Sequence, residues 1–115
     1  MRSDKDNLIV DLTFKFSLVI LDFCERLEGD RKYVLSRQLL KAGTSIGANV
    51  REAQNAESKA DFVHKFKIAA KEADESEYWL LLCRESKHYP NPEKILEELT
   101  IIIKIISKII SSSKN

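Results

Sequence analysis

The chain is predicted to be all-α, folded as an antiparallel up-down-up-down four-helix bundle. Apolar residues recur at helical spacing over four long stretches, which marks a buried face on each. No run alternates with period two, so no sheet is expected. Only 3 Gly and 2 Pro occur in 115 residues. Turns are therefore few and connections short, and short connections make consecutive helices antiparallel neighbours.

The first helix is expected over about residues 7–28. Asp11, Lys15, Asp22, Glu25 and Arg26 cluster on one side. Leu8, Leu12, Phe16, Val19, Ile20, Phe23, Cys24 and Leu27 fill most of the other. Gly29 suits the C-terminal cap, where helices often need a left-handed residue. The second helix, about residues 32–56, carries the stripe Leu35, Leu39, Ala42, Ile46, Val50 and Ala53. After a short break, Ser58-Lys-Ala-Asp61 reads as a capping box with Asp in place of Glu. It opens a third helix over about residues 59–87, with the stripe Phe62, Phe66, Ala69, Ala73, Ser76, Leu80 and Cys83. His88-Tyr-Pro-Asn-Pro92 stops that helix. Asn91 can cap the fourth helix, with Pro92 at its first position, and the helix runs to about residue 111. The four helices form one domain over residues 1–115.

The end helices carry more apolar surface than one core requires. On a helical wheel Ile101, Ile102, Ile103, Ile105, Ile106, Ile109 and Ile110 fill an arc of roughly 200°. A helix lying on one core needs an apolar arc of about 100°. On the first helix, Phe14, Leu18 and Leu21 widen the arc in the same way. The excess is expected to be covered by another protein surface, with Phe14, Leu18, Leu21, Ile102, Ile103, Ile106 and Ile110 as interface candidates.

Composition removes several functional classes. The net charge of +1 exerts no global pull on nucleic acid or an anionic membrane. Its distribution is uneven: residues 1–30 are net −3 and residues 31–56 net +4. The N-terminus is too acidic for a signal peptide. No stretch reaches the roughly 20 apolar residues of a membrane helix. Cys24 and Cys83 lie in apolar stretches, as buried reduced thiols would. A cytoplasmic protein is expected.

No catalytic constellation emerges. Gly43 and Gly47 stand in Ala42-Gly-Thr-Ser-Ile-Gly-Ala-Asn49, where small residues let a neighbouring helix approach. No strand precedes this stretch and no Lys-Ser/Thr follows it, so it is not a phosphate loop. Glu85-Ser-Lys-His88 and Asp61-Phe-Val-His64 fall roughly 36 Å apart on one helix, too far to share an ion. No metal, cofactor or catalytic residue is assigned. Ser45, Asn49 and Glu52 share one face of the second helix, and Lys71, Glu75 and Tyr78 one face of the third. These two lines are expected to meet as a polar seam that fixes helix register. Arg37, Lys41 and Arg51 form the one concentrated basic stripe, which pairs with the acidic first helix or follows a phosphate backbone.

Residues 37–80 carry a resemblance. Ser45, Ile46, Ala48, Asn49 and Glu52 are followed by Ser58, Lys59, Asp61 and Phe62, and then by Glu75 and Glu77. This pattern resembles the small bacterial four-helix bundle proteins of the 23S rRNA intervening-sequence protein family. Many members have Pro at the position of Gly47 and Glu-Gly in place of Glu52-Ala53, departures that look like a subgroup. The resemblance implies an antiparallel bundle, often assembled as a homopentameric ring, with no enzymatic activity. It places Ser45, Asn49, Glu52, Glu75 and Glu77 in the family's polar motif. A distant and more basic relative implies nucleic-acid binding, for which Arg37, Lys41 and Arg51 are the candidates. The expected partner is a second copy of the chain, with nucleic acid or a nucleoprotein as the alternative. A membrane partner is not expected, because Trp and Phe are absent from the isoleucine face beside Lys104 and Lys108.

Overall fold

The computed structural model describes residues 4–113. Four helices follow one another: α1 (Asp4–Gly29), α2 (Tyr33–Ala53), α3 (Lys59–Glu85) and α4 (Glu93–Ser113). Among the described residues there is no strand. The bundle measures 46 × 19 × 19 Å. Each helix packs on the two that adjoin it around a square, α1 on α2, α2 on α3, α3 on α4 and α4 on α1, and the diagonal pairs stay apart.

Local chemistry sets each helix end. At the α1–α2 turn, Lys32 N–H donates to the Leu27 carbonyl (2.8 Å) and Arg31 N–H to the Glu28 carbonyl (2.9 Å). This is a Schellman closure, and it places Arg31, not Gly29, in the left-handed region, at φ 63°. The expectation for Gly29 is thus corrected: it remains the last helical residue, and a side chain two positions later takes the strained conformation. An L-residue there costs about 1–2 kcal/mol. Arg31→Gly is therefore expected to raise stability by about 1 kcal/mol, a Tm increase of roughly 4 °C in a thermal melt.

Helix α2 ends at Ala53, before the expected residue 56. Gln54, Asn55 and Ala56 donate three residues back, to Arg51, Glu52 and Ala53, and so tighten the chain out of the α-helix. Ser58 caps α3, its hydroxyl accepting from Asp61 N–H at 3.0 Å. The Asp61 carboxylate accepts in turn from Glu57 N–H at 3.2 Å. Asn91 Oδ1 accepts from Glu93 N–H at 2.9 Å at the head of α4. Lys32 lies 4.8 Å over the Tyr89 ring and so joins the two connections at this end of the bundle.

The core runs the length of the bundle through Ile9, Phe16, Ile20, Leu27, Leu39, Ile46, Phe66, Leu80, Leu99 and Ile106. Helix α2 approaches α1 and α3 closely, while α4 stands further off. The small residues explain the difference. A Cβ on Gly43 would lie 2.9 Å from Ile20 Cγ1, and one on Gly47 would lie 3.1 Å from the Thr13 carbonyl oxygen. Ala69 and Ala73 leave comparable room on α3. Isoleucines hold α4 at a greater distance.

Candidate functional site

Isoleucines dominate α4, yet the bundle absorbs most of them. Ile102 and Ile106 are 2% and 1% exposed and belong to the core. Ile103 and Ile110 are partly buried against it. Ile102 and Ile106 are therefore corrected from interface candidates to core residues, while Ile103 and Ile110 keep part of their surface outside the core. The reason is geometric: α4 lies between α1 and α3, so two neighbours share an arc of about 200° that a single contact surface could not cover. Ile101 remains, 54% exposed, at the mouth of an α1–α4 groove of about 320 Å³ floored by Leu12, Phe16, Val19 and Ile102. On the wheel Ile101 stands opposite the buried Leu99 and Ile106, which accounts for its exposure.

On α1 the surplus persists. Phe14, Leu18 and Leu21 are 56%, 47% and 48% exposed and follow one another at i, i+4 and i+7. They form a ridge directly opposite the buried line Phe16, Ile20, Phe23 and Leu27. Beside the ridge, Phe14 also borders a shallow α1–α2 groove of about 240 Å³, with Val10, Ser17, Thr44, Gly47, Ala48 and Arg51.

The polar seam takes a different shape from the one expected. Ser45 donates to the Lys41 carbonyl (2.6 Å) and Asn49 Nδ2 to the Ser45 carbonyl (2.9 Å), so both bond within α2. Glu52 meets Lys65 of α3 at 2.8 Å, not Lys71, Glu75 or Tyr78. That hydrogen bond, and the charge behind it, raise the Lys65 ammonium above its ordinary pKa. Lys71, Glu75 and Tyr78 are exposed. Glu75 accepts from Trp79 Nε1 at 3.1 Å, and Glu77 is half-buried. Helix α3 turns Lys65 and Glu72, seven residues apart, toward α2. Glu72 is held above the usual carboxylate range by burial first and Glu75 second, with Lys41 of α2 opposing the shift. The spacing of Lys65, Glu72 and Trp79 marks this face, one step round the helix from Lys71, Glu75 and Tyr78.

The basic stripe is exposed. Among the described residues, Arg37, Lys41 and Arg51 make no ion pair, and neither do Asp22 and Glu25 of α1. Asp11 pairs only with Lys15, one turn along the same helix, at 3.0 Å. Among the described residues, the acidic side chains of α1 therefore form no ion pair with the basic stripe of α2 within one chain.

Elsewhere the polar groups serve packing. Ser36 donates between the Cys24 carbonyl (3.1 Å) and Glu28 Oε2 (3.2 Å), while Cys24 Sγ donates to the Ser36 carbonyl. Cys24 and Cys83 are free and buried, and burial pushes both thiols up to about 11. At neutral pH neither supplies a thiolate nucleophile. No buried side-chain donor or acceptor lacks a partner among the described residues. No group of three metal-ligating side chains converges among them. No described helix is long and apolar enough to cross a membrane.

Fold and surface together define a small antiparallel four-helix bundle protein whose distinctive features lie on its outer faces. More particularly, the chain belongs to the 23S rRNA-intervening sequence protein family, whose model matches residues 5–112. Its structure is similar to that of a protein of unknown function from the S23 ribosomal protein family of Bacteroides thetaiotaomicron VPI-5482. The two share 42% identity over 93% of this chain and 98% of that one, with a TM-score of 0.88. Among curated proteins, none matches the chain. Neither matching description carries a catalytic activity.

Proposed function

We propose that this protein is a non-enzymatic, self-assembling helical bundle, a cytoplasmic homopentamer that acts as scaffold or adaptor. One observation carries the reading: the Phe14, Leu18 and Leu21 ridge stands exposed on a bundle whose core is already complete without it. Large apolar side chains aligned on one outer helix face mark a protein contact. The family resemblance favours another copy of the chain as the partner and five as the number of copies. Static light scattering at micromolar concentration is the test. A mass of five times the 13.2 kDa chain is expected, and a mass of 13.2 kDa alone overturns the reading.

A second reading is nucleic-acid binding, as an RNA or DNA accessory protein. It draws on the exposed Arg37 and Arg51, which have no acidic partner among the described residues. Repetition around a ring multiplies a weak site. Filter binding of RNA over a salt series decides it. Phosphate contacts require affinity to fall steeply as salt rises, and absence of binding at low salt removes the reading.

A further inference from the structure

The charges on the outer faces of α1 and α2 match each other in register, and of these Asp22, Glu25, Arg37 and Arg51 have no charged partner among the described residues. Gly43 lies against Ile20, and Gly47 against Thr13 and Ser17. This antiparallel pairing places Arg51 level with Asp11, Lys41 level with Asp22 and Arg37 level with Glu25 along the bundle axis. The spacings agree: Asp11, Asp22 and Glu25 are separated by 11 and 3 residues, and Arg51, Lys41 and Arg37 by 10 and 4. Large residues are level with small ones in the same way, Phe14 with Ala48 and Leu18 with Thr44. Within one copy these charges do not meet. Asp11 and Asp22 lie roughly 180° around α1 from Thr13, which faces α2.

We infer that the acid-edged ridge of α1 in one copy seats on the basic, small-residue outer face of α2 in the next. The two copies point the same way, with no shift along the bundle axis. The inference rests on the self-assembly reading and specifies its contact. Phe14 and Leu18 cover the shallow surface at Ala48 and Thr44, and Asp11, Asp22 and Glu25 meet Arg51, Lys41 and Arg37. Pairing ridge with ridge is disfavoured. Antiparallel, it would bring Asp11 of one copy against Asp22 of the other, and parallel it would set each acid against itself.

The test is charge reversal with rescue, read by light scattering and thermal melting. Asp22→Lys with Glu25→Lys, and separately Arg37→Glu with Lys41→Glu, are each expected to reduce the mass to 13.2 kDa with the helical signal retained. The chain carrying all four changes is expected to recover the wild-type mass. Cysteine cross-linking tests the contact without altering charge so heavily. A mixture of Asp22→Cys and Lys41→Cys chains is expected to form disulfides between unlike chains, and neither variant alone between like ones. Assembly that survives both reversals overturns the inference and leaves the self-assembly reading standing, as does a fourfold variant that stays dissociated or a disulfide between two Asp22→Cys chains. So does a basic-face reversal that abolishes RNA binding and leaves the mass unchanged. A monomeric wild type overturns both.

Discussion

Ile102→Glu combined with Ile106→Glu is expected to leave the chain unfolded at 25 °C. Both side chains lie in the core, 2% and 1% exposed, on the line where α4 meets α1 and α3. Removing a buried isoleucine alone costs about 2–5 kcal/mol. A glutamate adds a carboxyl group that has no buried partner, and such groups are among the few single changes that exceed about 4 kcal/mol. Two of them approach or exceed the roughly 5–15 kcal/mol by which domains are stable. Far-UV circular dichroism checks the outcome. A cooperative melt near that of wild type would show that this face of α4 is not core.

Phe14→Lys combined with Leu18→Lys should do the opposite, dissociating the proposed homo-oligomer while sparing the fold. Both residues are about half exposed, so the bundle loses little packing when they change. Lysine is a good helix former, and the ridge lies opposite the buried face of α1. The assembly loses its two most central apolar contacts and gains positive charge facing Lys41 and Arg51, and such a juxtaposition of like charges costs several kcal/mol. Light scattering should give 13.2 kDa, with a melting temperature within a few degrees of that of dissociated wild type. Undiminished mass would remove the ridge from the interface. The two double variants separate roles that a helical wheel assigns alike, since each introduces charge on an apolar arc wider than about 100°.

Much of the bundle was legible because helix formation depends on near neighbours. The stripes Leu39, Ala42, Ile46 and Val50 on α2 and Phe66, Ala69, Ala73 and Leu80 on α3 recur at helical spacing, and all of them are buried. The Ser58 cap required only that Asp61 N–H follow three residues later. The turn at Arg31 was less legible. Gly29 advertises a left-handed cap, yet the hydrogen bonds to Leu27 and Glu28 place that conformation two residues on. The seam shows the same limit. Glu52 stood out in the sequence, but its partner Lys65 depended on the rotation of α3 about its own axis.

Four amphipathic helices, their order, the small-residue stretch of α2 and the opposed charges of residues 1–30 and 31–56 all follow from the order of the amino acids. Each of these is a property of spacing or composition along one chain. Tertiary structure alone decided which apolar residues remain outside. An arc of given width is buried according to how many neighbours a helix has and the angle they subtend. Between α1 and α3, Ile95, Ile102, Ile106 and Ile109 of α4 are buried, Ile103, Ile105 and Ile110 are partly buried, and Ile101 is left exposed. On α1 the buried line is equally complete, and Phe14, Leu18 and Leu21 stay about half exposed, Phe14 at the edge of the shallow α1–α2 groove. The charges follow the same rule. Asp22 and Lys41 lie at one level of the bundle and point apart, so they do not pair within one copy.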